Sequence, residues 1–240
     1  MENSLYIGLS KQMVLRNHMD LISNNIANMN TTGYRSQHLL FEEAISDPRG
    51  SDDALSYVLD KGQYHDTTPG SMEYTGNQLD IAVEGKGYFG VRGPGGNVMY
   101  SRSGDMQMDA TGTLTNSNGR PIATIGGGNI IIPQGSTEIK IDENGMVSNQ
   151  NGQLGQIMLV EFENEQELKP VGYNLYSSEN EGTPAQESRI KQGMLERSNV
   201  RPVVEMTNMI DTLRTYQSLQ NAMRTENDRL RSAIQTLTGQ

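Results

Sequence analysis

Apolar residues recur at alternating spacings of three and four near both ends of this chain. Over residues 4–30 the series runs Leu5, Gly8, Gln12, Leu15, Met19, Ile22, Ile26, Met29, with six of its eight positions apolar. Polar residues such as Lys11, Arg16, Asn17, Asp20, Asn24 and Asn25 lie between them. That spacing is the seam of a coiled-coil or bundle helix, roughly 36 Å long at about 1.5 Å per residue. The segment Asn30-Thr31-Thr32-Gly33 stops it, Gly33 being able to take the left-handed conformation beyond a helix end. A second series covers residues 202–238: Met206, Met209, Leu213, Tyr216, Gln220, Met223, Asn227, Leu230, Ile234, Leu237. Pro202 suits the first turn of this longer helix, where its missing N–H costs nothing.

Between the seams the pattern changes to short runs separated by Gly and Asn turns. Leu79-Asp80-Ile81-Ala82-Val83, Tyr88-Phe89-Gly90-Val91, Ile139-Lys140-Ile141 and the run Gln156 to Phe162 read as strands. Turn signals stand at Gly85-Lys86-Gly87, Gly93-Pro94-Gly95-Gly96-Asn97, Asn118-Gly119, Asn144-Gly145 and Asn151-Gly152. This predicts an antiparallel sheet or small barrel. The stretch 42–72 is polar and weakly patterned and reads as a linker or loop. The expected fold class is therefore α+β, with long N- and C-terminal helices forming a coiled-coil-like pair around a central antiparallel β domain. The expected divisions are 1–34 (N-terminal assembly helix and turn), 35–75 (linker or extended region), 76–188 (central β domain) and 189–240 (C-terminal connector and assembly helix).

A lone amphipathic helix is marginal in water, so both seams need partners. One reading is an ordinary α+β domain whose terminal helices cover its own sheet. The other is that the helices pair with each other and with copies of the chain. Composition bears on the choice. Only 34% of the 240 residues are hydrophobic, Trp is absent and Phe occurs three times, which limits a single core. The 14 methionines are side chains that adapt to imperfect packing. The net charge of -10 is uneven: residues 41–188 carry -14, residues 1–40 carry +1 and residues 189–240 carry +3. No basic stripe is available to neutralise phosphates, which argues against nucleic acid, and the ends can pack without strong mutual repulsion.

Four motifs add an identification. Asn24-Asn25-Ile26-Ala27-Asn28-Met29-Asn30-Thr31-Thr32-Gly33-Tyr34 resembles the N-terminal signature of flagellar rod and hook proteins. Leu79 to Phe89 resembles that family's central L-D-hydrophobic-A-hydrophobic-x-G-x-G-F-F stretch. Tyr100-Ser101-Arg102-Ser103-Gly104 resembles its Y-T-R-x-G stretch, with a D-x-x-G-x-L turn at Asp109, Gly112 and Leu114. Gly193-Met194-Leu195-Glu196-Arg197-Ser198-Asn199-Val200 and Glu205-Met206-Thr207-Asn208-Met209-Ile210 resemble its C-terminal signature. The ending Arg214 to Met223 is more similar to the proximal-rod members than to the distal-rod ones. Tyr34 and Tyr88 stand where the family often has Phe.

The resemblance implies a structural subunit of the bacterial flagellar basal-body rod, a distal-rod or other axial protein being the alternative within the family. It implies export by the flagellar type III apparatus without a cleaved signal peptide, and a place in the rod that crosses the periplasm. Its partners would be other rod subunits, proximal and distal, with no nucleic acid and no membrane insertion. The residues implied at the assembly interface are Leu5, Leu15, Met19, Ile22, Ile26, Met29, Met206, Met209, Leu213, Tyr216, Met223, Leu230, Ile234 and Leu237. Asn25, Asn28, Thr31 and Gly33 would form a signature turn, which also orients the helix towards the next subunit. Phe41 and Ile45 match an export element of the form F-x-x-x-hydrophobic.

Catalytic and cofactor readings find little support. There is no cysteine, which removes thiolate chemistry. His18, His38 and His65 lack a metal-ligand spacing, and His18 is expected on the polar side of its helix. Gly85-Lys86-Gly87 lacks the phosphate-loop spacing and reads as a tight hairpin. Asp142-Glu143-Asn144-Gly145 fails as a calcium loop because Lys140 and Asn151 fall where acidic ligands belong. No enzyme and no cofactor are expected. A rival of another class is a secreted β-rich binding module with Tyr residues as a platform for glycan.

Overall fold

The computed structural model describes residues 2–46, 55–136 and 138–238, and the side chains of 7–40, 62–136 and 138–236. The chain divides into two compact units. Unit 1 takes residues 1–27, 37–66 and 201–240, and unit 2 takes residues 28–36 and 67–200.

Unit 1 holds helix α1 (Glu2–Ala27), strands β1 (Gln37–Ser46) and β2 (Leu55–His65), and helix α2 (Pro202–Thr238). The helices run antiparallel against each other. A Cβ added to Gly8 would come within 3.2 Å of Met223 Sδ, Gln12 Nε2 donates to the Tyr216 hydroxyl at 2.9 Å, and His18 Nδ1 lies 3.4 Å from Thr212 Oγ1. Gly8 thus lets the helices approach closely at one end of the contact. His18 is half-buried here rather than on a solvated face, because its column on α1 meets α2. β1 and β2 form an antiparallel hairpin within the stretch expected to be a linker. One reason for the difference lies in the register: opposite Leu40 and Phe41 the partners are Gly62 and Asp60, so Lys61 is an extra residue that breaks the period-2 alternation of β2.

Among the described residues, the regular structure of unit 2 is strands and one 3-10 turn at Glu165–Glu167. Its strands are β3 (Met72–Tyr74), β4 (Ile81–Glu84), β5 (Tyr88–Arg92), β6 (Val98–Ser101), β7 (Met106–Met108), β8 (Leu114–Asn116), β9 (Ile139–Ile141), β10 (Met146–Asn149), β11 (Gly152–Gln156), β12 (Leu159–Glu161), β13 (Lys169–Gly172), β14 (Leu175–Ser177), β15 (Thr183–Pro184), β16 (Arg189–Gln192) and β17 (Met194–Glu196). Six of them form an antiparallel sheet in the order β13-β14-β6-β5-β12-β15. Pro170 and Pro184 stand on its two edge strands, where a missing donor hinders further strand addition. β16 and β17 belong to this unit, pairing with β4 and β3, so the β region runs past residue 188.

Consecutive residues of that sheet enter different cores, as strand geometry requires. Phe89, Leu159 and Leu175 join Ile81, Leu114, Ile122 and Ile157 in the larger cluster, while Tyr88, Val160 and Tyr176 join Tyr100, Phe162 and Leu168 in the smaller one. Each fully buried Ile or Phe contributes about 1.5–3 kcal/mol. In the smaller cluster Tyr100 and Phe162 meet edge to face at 4.8 Å, and Tyr88 meets Phe162 and Tyr176 the same way at 5.9 and 6.0 Å. Burial pushes the Tyr176 hydroxyl up to about 12 and also raises that of Tyr88, which donates to Glu165 at 2.8 Å.

Gly85-Lys86-Gly87 is not a hairpin turn. β4 pairs with β16 and β5 pairs with β6 and β12, so this segment is a corner between sheets. Ser188 lies where a Cβ on Gly85 or Gly87 would fall, at 2.6 and 3.0 Å. Gly104 is tighter still: an added Cβ would sit 1.7 Å from the Ile81 carbonyl oxygen. Gly104→Ala should therefore destabilise unit 2 by about 3 kcal/mol. Gly126→Ala, in open space, should stay within about 0.5 kcal/mol of the parent. Urea denaturation of both variants measures the contrast.

Candidate functional site

Three of the sequence motifs converge in unit 2 on one carboxylate. Glu196, at the end of β17, is 1% exposed. Its Oε2 accepts from Arg102 Nε at 2.9 Å and Nη2 at 2.8 Å, and its Oε1 lies 3.0 Å from Arg35 Nη2. The Gly70 N–H donates to Oε1 at 3.0 Å. Arg102 also donates to the carbonyls of Gly85 (2.9 Å), Gly87 and Val83 (3.2 Å). All five guanidinium donors of Arg102 thereby meet acceptors. Its guanidinium carbon lies 5.6 Å from the centre of the Tyr88 ring, within cation–π range. Burial lowers the Arg102 pKa, and the Glu196 carboxylate opposes that fall.

The turn after α1 is tied to the same place. Gly33 adopts φ +65°, its N–H donates to the Glu196 carbonyl at 2.7 Å, and an added Cβ would lie 2.5 Å from the Arg102 carbonyl. Only glycine meets both demands. Thr31 closes the turn onto Asn28, through its N–H to the Asn28 carbonyl (3.1 Å) and its hydroxyl to Asn28 Oδ1 (3.0 Å). Arg35 donates to the Thr68 carbonyl. Asn199 accepts the Ser36 N–H at 2.7 Å and donates to Thr68 at 3.0 Å. Asn25, in unit 1, is 1% exposed and clamps Gln37 at the start of β1, donating to its carbonyl and accepting its N–H, both at 2.9 Å.

This cluster is closed and fully packed, so it holds segments together and offers no reacting group to solvent. Sequence reasoning noticed Arg102 and Glu196 only as letters in motifs. The available signal was a charged residue inside otherwise buried strand patterns.

The helix residues distribute unevenly. Leu15, Met19 and Ile26 are half-buried and Ile22 is buried; Met29 is half-buried in the turn that belongs to unit 2. On α2, Met209, Tyr216, Met223 and Leu230 form one half-buried column, seven residues apart. Met206, Leu213 and Ile234 are exposed. The neighbouring inward column is instead Glu205, Thr212, Leu219 and Glu226, with Glu205 and Thr212 buried. The column Met209, Tyr216, Met223 and Leu230 of the expected seam is thus kept, while its companion column is shifted by one residue, and Thr212 of that column meets His18. The outward face carries Val203, Met206, Ile210 and Leu213, exposed by 78, 48, 50 and 44%. Leu9 and Met13 are exposed on α1. Leu5 and Leu237 lie in the two helices and Phe41 and Ile45 on β1, but their side chains fall outside the described residues.

Comparison with known proteins fits this arrangement of motifs. Residues 5–35 match the family described as flagella basal body rod protein, residues 82–149 the flagellar hook protein FlgE/F/G D1 domain, and residues 191–236 the flagellar basal body rod FlgEFG protein C-terminal region. The chain is 36% identical to the flagellar basal-body rod protein FlgF of Caulobacter vibrioides, over 99% of this chain and 98% of that protein. It is 30% identical to FlgF of Rhizobium meliloti over 100% and 99%, and 31% identical to FlgG of Bacillus subtilis over 98% of each.

Glu196→Gln would leave two buried guanidinium groups without their carboxylate and should cost about 3–5 kcal/mol. Arg102→Lys should cost nearly as much, because an ammonium with three donors cannot replace five donors held in a plane. Arg35→Met should cost less than either. It leaves a neutral Arg102–Glu196 pair, and Arg35 Nε has no hydrogen-bond partner among the described residues to lose. Urea midpoints of the three full-length variants order the costs.

Proposed function

We propose, from the premise that this chain belongs to the flagellar basal-body rod protein family, that it is a rod subunit of the FlgF kind whose terminal helices carry the contacts with neighbouring subunits. Members of the family are structural proteins rather than enzymes, and this chain is a structural component of the basal-body rod. Its finer position is read as proximal from the ending Arg214 to Met223 and the 36% identity to FlgF of Caulobacter vibrioides, while FlgF of Rhizobium meliloti at 30% and FlgG of Bacillus subtilis at 31% stand level. Export through the type III apparatus without a cleaved leader, passage through the periplasm and an export element at Phe41 and Ile45 rest on the family resemblance.

The observation that carries the assembly reading is the outward apolar stripe of α2. Val203, Met206, Ile210 and Leu213 recur at spacings of three and four on one face and remain exposed beside a packed inner face. That spacing is the signature of a helix–helix seam. Isolated exposed apolar residues are ordinary, but a run on one helix face marks an interaction surface. A helix with one seam on α1 and another facing outward can join two neighbours at once. Contacts of that unlike-to-unlike kind propagate into a helical filament when the rotation does not close. Coiled-coil packing of α1 with α2, extended between subunits through Leu15, Met19, Ile22, Ile26, Met209, Tyr216, Met223 and Leu230, is the arrangement this reading favours.

Two classes of substitution separate assembly from folding. Met206→Asp and Leu213→Asp, on the outward face, should leave the helical signal and urea midpoint of the monomer within about 0.5 kcal/mol of the parent. They should abolish rod formation and swimming. Ile22→Asp, at a side chain only 2% exposed, should destabilise unit 1 itself by several kcal/mol, on the order of 3 or more, and lose assembly with it. Normal rods in the Leu213→Asp strain would refute the outward seam.

A further inference from the structure

Residues 28–36 belong to unit 2, although the stretches on either side of them in sequence, 1–27 and 37–66, belong to unit 1. Both hydrophobic clusters of unit 2 draw their members from residues 79–190. Tyr34 is buried but is a member of neither. The segment is held instead through polar atoms, taken in order along its backbone. The Thr32 carbonyl accepts from Asn174 Nδ2 at 2.7 Å. The Gly33 N–H donates to the Glu196 carbonyl at 2.7 Å, and the Tyr34 carbonyl accepts the Asn199 N–H at 3.3 Å. The Ser36 N–H donates to Asn199 Oδ1 at 2.7 Å. Arg35 reaches the buried Glu196 carboxylate and the Thr68 carbonyl. Successive main-chain hydrogen bonds with a side chain seated in a buried site are the means by which a folded domain takes up an extended peptide.

We propose that residues 28–36 are a detachable strap, and that the groove beneath them on unit 2 is a binding site for an extended peptide bearing the run Thr32-Gly33-Tyr34-Arg35-Ser36. Charge favours release. With the strap seated, two guanidinium groups share one carboxylate, and all three side chains are at most 2% exposed. One positive charge of the cluster is therefore left over, and Arg35 Nε has no hydrogen-bond partner among the described residues. A buried charge without a counter-charge is costly. With the strap out, Arg35 regains water. Arg102 and Glu196 then remain as a neutral pair, still bonded to the carbonyls of Val83, Gly85 and Gly87 and to the Gly70 N–H. Both hydrophobic clusters stay complete. The strap thus has the properties of a segment that opens below the global unfolding free energy. The chain passes from one unit to the other four times in sequence, and two of those crossings are the ends of the strap.

The inference concerns one chain alone and does not rest on the outward stripe of α2, so a failure of that seam would leave it standing. The test is amide hydrogen exchange of the dilute full-length protein, followed by NMR at increasing urea. The Leu114 and Ala123 N–H groups, bonded to the Ile130 and Gly90 carbonyls, report the core. In the parent, the Ser36 and Asn199 N–H groups should be protected less than these by about ten-fold or more, with little dependence on urea. Gly33→Ala puts a Cβ 2.5 Å from the Arg102 carbonyl. It should lower protection at Ser36 and Asn199 by a further ten-fold or so and leave Leu114 and Ala123 unchanged. A synthetic peptide of residues 28–36, added to that variant at about 1 mM, should restore protection at Asn199. The same peptide carrying Gly33→Ala should not. Exchange of Ser36 in the parent only through the urea-dependent opening that also releases Leu114 would overturn the strap. So would loss of core protection together with strap protection in Gly33→Ala. A parent-sequence peptide that leaves Asn199 unprotected, or a Gly33→Ala peptide that protects it equally, would overturn the peptide site.

Discussion

Arg35 and Arg102 bring two positive charges into the interior of unit 2, and Glu196 supplies one negative charge between them. Buried ions of this kind are tolerated only when their remaining donors are satisfied. Here the balance comes from backbone: the carbonyls of Val83, Gly85, Gly87 and Thr68 all turn towards the guanidinium groups. That demand explains why glycine recurs around the cluster. Gly33 lies against the Arg102 carbonyl, and an added Cβ on Gly70 would fall 1.8 Å from the Arg197 carbonyl oxygen. Segments distant in sequence are brought together because each supplies an acceptor or a close approach that the two cations need.

Unit 1 is arranged on a different principle. Its inner helix face is partly polar, with Glu205 and Thr212 buried while Met206 and Leu213 remain in water. Thr212 on that face lies against His18, and Tyr216 accepts a hydrogen bond from Gln12. Facing Met206 and Leu213 inward in place of Glu205 and Thr212 would put apolar side chains where polar ones are buried and would remove the contact with His18. Specificity from polar contacts at a cost in apolar burial is a known means of selecting one helix register.

Much of this was legible from the residues. Period-3.6 patterning located both helices, and Gly and Asn turns marked an antiparallel β region whose strands at Tyr88–Val91 and Ile139–Ile141 lie close to their expected places. Four things were not legible. The extra residue Lys61 on β2, opposite Leu40 and Phe41, helped disguise the β1–β2 pair as a linker. The Gly85–Gly87 segment imitated a hairpin, because a sheet corner needs the same close-approach residues as a tight turn. The inward column Glu205, Thr212, Leu219 and Glu226 of α2 could not be read from an apolar count, since three of its four members are polar. The Arg–Glu–Arg cluster was visible only as separate letters, because pairing across sheets leaves no local pattern.

The C-terminal signature Glu205-Met206-Thr207-Asn208-Met209-Ile210 contains both principles in six residues. Glu205 is buried, Met209 is half-buried, and Met206 and Ile210 are exposed. A motif that served only the packing of a single chain would need its buried members and could be polar elsewhere. Large apolar side chains at both outward positions add nothing to the stability of a lone molecule, and they expose it to unwanted association. Met206 and Ile210 lie on the flank beside the filled seam, each one residue on from an inward-facing side chain, which is where the proposed contact with a neighbouring subunit would cover them.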